Sequence, residues 1–312
     1  MAEPERPTQV YVAVGANLVI AVCKMIAAAI TGSSAMLSEG VHSIADTGNQ
    51  LLMLLGLKRS RRPADSIHPF GNGQEVYFWS FVVAMVLFSG GGVLSIYEGI
   101  RRLKYEEVSS SPFWNYIVLA IAAASEGTSM YFALRKFRQS MRLGEHWWDS
   151  LRTSKDPTVF IVLAEDAAAL TGIVVAFLGV SLEQMTGSVV PDAVAAMIIG
   201  GILCVVSVLL AIETHALLLG ESADPEIVSE IHKIIEADRN VAKVHHPLTM
   251  HFGPDEVLLN IAVEFRSGTS SDVILDSIRK FESTIRAKFP IVRRIFIEIE
   301  SPDLPGRRTK AA

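Results

Sequence analysis

Cysteine is nearly absent: the 312 residues hold two, Cys23 and Cys204, each inside an apolar run. That leaves no basis for a disulfide scaffold or a thiolate zinc site. It also argues against copper(I), which wants soft sulfur ligands. Charge is scarce too, at 20% of residues against roughly 25% in a soluble domain. The balance is acidic, with a net charge of −5; a nucleic-acid partner needs a basic surface, so none is expected. There is no glycine-rich phosphate loop and no nucleophile-and-base constellation. This argues against a nucleotide-driven pump or a hydrolase, and the chain is not expected to be an enzyme. Half of the residues are hydrophobic, gathered mostly before residue 213, so a wholly soluble globule and a disordered chain are both excluded.

Six apolar runs reach the length of about 20 residues that a helix needs to cross a bilayer: Val10–Ile30, Ser34–Leu57, Val76–Tyr97, Phe113–Leu134, Thr158–Val180 and Val189–Ile212. In hydrocarbon such runs must be helical, because unpaired backbone groups find no water there. The loops after the second and fourth runs hold ten Lys and Arg: Lys58, Arg59, Arg61, Arg62, Arg135, Lys136, Arg138, Arg142, Arg152 and Lys155. The opposite side holds three, Arg101, Arg102 and Lys104, partly balanced by Glu106 and Glu107. Positive loops face the cytoplasm, so both termini are expected inside. The compact loops and the lack of a presequence suit a bacterial inner (plasma) membrane, with an organellar membrane as the open alternative. Trp147 and Trp148 read as an interfacial aromatic anchor. The small-residue run Ser89–Val93 reads as a close helix contact, either between subunits or at a pivot.

After residue 212 the pattern is that of a soluble domain. Asp224 and Pro225 open a helix to about Ala237. Strand-like runs Val241–Phe252 and Val257–Phe265 flank a hairpin signal at Gly253–Glu256. Ser271 and Asp272 cap a helix to about Lys288, and Ile291–Ile299 reads as a last strand. The order αββαβ predicts a cytoplasmic α+β sandwich of ferredoxin-like type. The fold class expected is therefore an all-α membrane bundle of six transmembrane helices (1–212) with a C-terminal ferredoxin-like domain (213–302) and a loose tail (303–312).

An ionisable group at mid-membrane costs about 2.5–3.5 kcal/mol on insertion scales, so each one needs a reason. The second run holds Glu39, His42 and Asp46, spaced to share one helix face. The fifth holds the adjacent Glu165 and Asp166 with no basic residue in the same run. Their charge must be met by a proton, a metal ion, or Lys24 of the first run. One imidazole among carboxylates suits zinc, and also iron, cobalt, nickel or manganese. Asn17, Glu126 and Asp192 read as interhelical hydrogen-bonding groups or helix ends.

The stretch Gly32–Asp46 (GSSAMLSEGVHSIAD), the following Arg62–Gly71 (RPADSIHPFG) and the Glu165–Asp166 helix resemble the cation diffusion facilitators, and six runs followed by a soluble tail match as well. The resemblance implies a homodimer in the lipid bilayer that exports a divalent metal, zinc first, in exchange for protons by alternating access. It places His42 and Asp46 as the second-span ligands and Asp166 as one fifth-span ligand. The partner position of Asp166 is Val162, which cannot bind metal. Glu165 is the expected substitute; Glu39, or a water, is the alternative. A loop site would fall on Asp65 and His68, with Asn72 in place of a second His; the bland reading is a turn into the third span. A tail site would use His245, Glu298 and Glu300, with His246 and His251 nearby. Metal binding requires deprotonated ligands, so metal and protons compete for one site and their fluxes couple. Three competing readings stay open: a manganese, iron or cobalt exporter, a membrane metal sensor or scaffold without transport, and an uncoupled channel.

Overall fold

The computed structural model describes residues 7–104, 113–140 and 157–300. Trp147, Trp148, Glu106, Glu107 and the tail from 303 lie outside the described residues. Six long helices occur among the described residues: α1 Pro7–Thr31, α2 Ser34–Ser60, α3 Glu75–Lys104, α4 Phe113–Ser140, α5 Pro157–Thr186 and α6 Val190–Leu219. Four stretches, Glu75–Lys104, Phe113–Arg135, Val162–Thr186 and Val190–Leu219, are long and apolar enough to cross a membrane. In α1 the apolar helix Asn17–Thr31 is shorter, and α2 is diluted by Glu39, His42, Asp46, Lys58 and Arg59.

The chain divides into two compact units, Met1–Arg59 with Glu75–His215, and Ser60–Gln74 with Ala216–Ala312. The loop between α2 and α3 thus groups with the C-terminal residues, which a linear cut at residue 212 does not anticipate.

In the helical unit, small side chains fill the seams. Ala27, Ala28, Ala35, Ala122, Ala168, Ala176 and Ala195 are buried in one core with Met36, Leu119, Ile173, Ile199 and Leu203. Without a hydrophobic drive between helices in lipid, such close approach is what packing relies on. Ser89–Val93 falls in a π-helical turn, Leu87–Val93. Gly91 and Gly92 back onto Leu203 and Cys204 of α6, so part of this small-residue run serves a contact inside the subunit. Charged groups tie the ends together. Gly32 turns the chain at φ 70°, and Ser33 Oγ then accepts from Met36 N at 3.1 Å, capping α2. Asp192 of α6 accepts from Ser33 Oγ at 2.6 Å and Ala35 N at 3.2 Å. Arg102 of α3 is buried and bridges Glu183 of α5 at 2.9 Å and Asp192 at 3.5 Å.

The C-terminal unit packs α7 (Pro225–Glu236) and α8 (Ser271–Lys288) on a sheet of β1 (Val241–Val244), β2 (Leu248–Gly253), β3 (Glu256–Phe265) and β4 (Val292–Glu300). The expected strand Val241–Phe252 is broken at His245–Pro247, where proline has no N–H to give; its two pieces pair antiparallel with β3. β4 runs parallel along the other side of β3. The N-cap position of α8 is Ser270, whose side chain makes no capping hydrogen bond; the expected caps Ser271 and Asp272 lie in the first turn. Alternate residues Val257, Leu259, Ile261, Val263 and Phe265 of β3 face a core shared with Ile231, Ile235, Phe281 and Ile285. The opposite face carries Leu248, Glu264, Phe296 and Glu300. At one end of it Phe70, from the 60–74 loop, stacks on Phe252 at 5.2 Å under the guanidinium of Arg294.

Candidate cation site

The capped start of α2 fixes the helical phase of its polar face. Glu39, His42 and Asp46 follow at the spacing that stacks side chains along one face, and Asn49 continues the row. Asp46 is half-buried at 14% side-chain exposure and His42 is fully buried; His42 Nδ1 lies 3.4 Å from Asp46 Oδ1. That contact does not make a hydrogen bond: among the described residues both ring nitrogens of His42 and the Oδ1 of Asp46 have no hydrogen-bond partner. Buried polar atoms left so are costly and call for an explanation.

The α5 pair splits between two neighbours. Glu165 Oε1 accepts from Asn49 Nδ2 of α2 at 3.0 Å, and Asp166 Oδ2 accepts from Ser129 Oγ of α4 at 2.9 Å. A 100° step per residue turns adjacent side chains toward different helices. Glu165 therefore faces the helix of His42 and Asp46, and Asp166 faces α4. The charges of Glu165 and Glu126 are both felt at Asp46, and that of Glu126 at Glu165 and Asp166. Glu39 is paired with Lys24 of α1 at 3.0 Å. Its binding partner is a protein cation, which counts against Glu39 as a metal ligand.

Two groups that serve the site were not singled out from sequence, Asn49 and Ser129; Glu126 was given a weaker role. The signal was available. Asn49 lies three residues past Asp46, and Ser129 three past Glu126, so both share a face with an acid.

Outside the helices, Asp65 Oδ1 accepts from the backbone N–H groups of Ile67 and His68, and these bonds hold its carboxyl below the ordinary range. Asp65 and His68 are brought together, 3.3 Å apart, within a turn closed by Asp65 N–H to His68 O, which also accepts from Gly71 N–H. In the C-terminal unit His245 Nε2 lies 2.8 Å from Glu264 Oε1 and 3.0 Å from Glu300 Oε2. Among the described residues this is the group of three whose ligand atoms all lie within 4.8 Å; the helix-borne set converges less closely. Glu264 takes the place expected for Glu298, because the register of β3 and β4 sets Glu264 beside Glu300 while Glu298 pairs with Ala262. His246 is exposed, and the buried His251 ring contacts Gly253 O.

Residues 10–219 match the cation efflux transmembrane domain. The chain is 32% identical over 287 residues to the proton-coupled zinc antiporter SLC30A9, mitochondrial, of Xenopus laevis, covering 86% of this chain and 51% of that protein. It is 28% identical over 244 residues to metal tolerance protein C4 of Arabidopsis thaliana, covering 75% and 52%. It is 22% identical over 299 residues to the manganese efflux system protein MneP of Bacillus subtilis, covering 92% and 93%. The chain spans about half the length of the first two relatives. An integral membrane chain with apolar helices and a small sheet unit, matched over two thirds of its length, belongs to the cation diffusion facilitator (cation efflux) family, whose members are transporters and not enzymes.

Proposed function

We propose that the chain exports a divalent cation, zinc first, from the cytoplasm in exchange for protons, by alternating access. The observation that carries this reading is the buried face of His42 and Asp46, whose ring nitrogens and one carboxylate oxygen lack a hydrogen-bond partner among the described residues, opposite Glu165 and within the field of Glu126. The transported ion is held by His42, Asp46, Asp166 and Glu165, the last standing in for a ligand at Val162. Asn49 and Ser129 hold the α5 carboxylates until the ion draws them inward. Metal expels protons from these groups because only deprotonated ligands bind, and protons from the other side expel the metal. The name of the frog relative, a zinc antiporter, supports zinc. That of the Bacillus relative supports manganese as a second reading, and a site richer in oxygen than nitrogen suits it.

The finer architecture belongs to the same proposal: six spans, a ferredoxin-like C-terminal domain and a homodimer. Support for six spans comes from the six long helices, of which α2 is polar where the site needs it to be. The exposed Leu248 and Phe296 on the sheet's outer face support pairing with a second copy. N- and C-termini are placed inside, in a bacterial inner membrane. Support for the orientation comes from the loop charges: Arg102 is buried in the bundle, and removing it from the loop count leaves ten against two. The cluster His245, Glu264 and Glu300 is proposed as a cytoplasmic metal-sensing site, and Asp65 with His68 as a turn.

The test is flux in proteoliposomes across zinc, manganese, cobalt and iron(II), with and without a pH gradient. Metal-driven proton movement is expected for wild type and is expected to fall to background in Asp46→Ala and in Asp166→Ala, with both variants folded. Glu165→Gln is expected to weaken binding more than Glu39→Gln. Full exchange in both alanine variants refutes the site, and flux indifferent to the pH gradient refutes antiport in favour of a channel.

A further inference from the structure

Lys24 has no part in the ligand set, yet it is among the most completely buried side chains of the helical unit, at 0% exposure. Its Nζ donates to Glu39 Oε2 at 3.0 Å and to Ser43 Oγ at 2.8 Å. Two of its three donors are thus committed to residues one turn apart on α2. Glu39 is equally buried. Among the described residues its second oxygen has no hydrogen-bond donor, and it lies against Gly172 of α5, where a Cβ would overlap it. The carboxylate thus has an ammonium from α1 on one oxygen and a bare glycine of α5 against the other. The charge of Lys24 is felt at His42, Asp46 and Glu126, but its ion pair is with Glu39, one turn before His42.

A fixed ammonium repels a nearby dication, and the carboxylate it occupies is one that the ion could otherwise recruit. A transport site must bind its ion well enough to load and weakly enough to release. We propose that the Lys24–Glu39 pair sets the affinity of the cation site: Lys24 withholds Glu39 from a divalent ion held by His42, Asp46, Glu165 and Asp166, so that the ion can leave. Lys24 is then a positioning residue acting through Glu39. This rests on the location of the site given above.

A double-mutant cycle on the full chain tests it, with zinc binding measured by calorimetry in detergent and zinc uptake in proteoliposomes. Lys24→Met frees Glu39 for the ion; binding tightens roughly tenfold, and KM and kcat fall together as release slows. Glu39→Gln leaves the ammonium without its counter-charge; binding weakens and KM rises. The combined Lys24→Met/Glu39→Gln variant returns close to wild type, and Lys24→Arg keeps the wild-type KM. Effects of opposite sign that cancel are the signature of a charge balance. A merely structural pair moves both single variants the same way, toward weaker binding, and that result overturns the proposal. Should Lys24→Met not fold, Lys24→Gln carries the same expectation. Zinc binding that survives Asp46→Ala in the wild-type background shows instead that the site itself is misplaced, which separates the two failures.

Discussion

The helical unit and the C-terminal unit each gather acids around an imidazole, and they differ in what answers the charge. In the C-terminal cluster His245 meets Glu264 and Glu300 directly, with side chains between 17% and 34% exposed. Water reaches the group, and its members satisfy one another. In the helical cluster Glu39 is answered by Lys24, but among the described residues Glu165 and Asp166 meet the neutral Asn49 and Ser129 through their hydrogen bonds, and the His42 ring, 3.4 Å from Asp46, makes no hydrogen bond. The same residue types therefore carry different information. An acid that water reaches costs little and signals little, whereas a buried carboxylate without a protein cation has to be neutralised, by a proton or by a bound cation.

The comparison breaks most visibly where a buried charge loses its partner. Arg102→Met removes the buried cation that bridges Glu183 and Asp192, and is expected to cost about 3–5 kcal/mol. Thermal melting of the detergent-solubilised chain measures it. His245→Gln, in the exposed cluster, should leave the melting temperature nearly unchanged. Equal losses from the two would show that burial does not separate the clusters. A smaller effect is expected at Gly172. The added Cβ of Gly172→Ala meets Glu39 Oε1 and overpacks the seam by about 1–3 kcal/mol. Gly127→Ala on α4, with nothing within 4 Å of the added carbon, is the control. There the better helix propensity of alanine favours folding by about 0.5–1 kcal/mol. A Gly172→Ala variant as stable as the control would mean that Glu39 moves aside freely.

Much of this contrast was legible in the residues themselves. The 3.6-residue spacing of Glu39, His42 and Asp46 and the adjacency of Glu165 and Asp166 are local facts, and local facts survive folding. The C-terminal helices were equally local: Asp224 and Pro225 open α7, where the Asp224 side chain accepts from Glu226 N. What could not be read was pairing between distant elements. Lys24 was one of three possible sources of positive charge; only packing assigns it to Glu39. Glu264 sits on a strand that alternates correctly, yet its place beside Glu300 depends on the register of β3 against β4. The dissenting basic cluster at Arg101–Lys104 is partly explained only by Arg102 turning inward to Glu183 and Asp192. The break at His245–Pro247 was signalled by the proline, but the run of β-formers on either side outweighed it.

The smallest effect lies in the exposed cluster's response to acid, and its sign follows from the pairing. The hydrogen bond with His245, and then the Lys243 charge, hold the Glu264 carboxyl below the ordinary value of 4.5; the Lys288 and Lys233 ammoniums do the same for Glu230. A carboxyl held low in the folded state adds stability above its unfolded value, and that stability drains away as pH falls through the lower, folded value. The C-terminal unit should therefore be indifferent to these groups between pH 7 and pH 5, and should loosen only below about pH 4.5. Glu264 is part-buried and Glu230 is 39% exposed; water reaches both, so solvent screens the effect. Hydrogen exchange of peptides from β3 and α8, corrected for the intrinsic pH dependence, reads it out. Glu264→Gln should start slightly less protected at pH 6 and lose less on acidification, because it has no carboxyl left to protonate. A Glu264→Gln profile that parallels wild type down to pH 3 would mean that His245 and Glu264 do not hold each other in solution, and the cluster would lose the mutual satisfaction that sets it apart from the buried one.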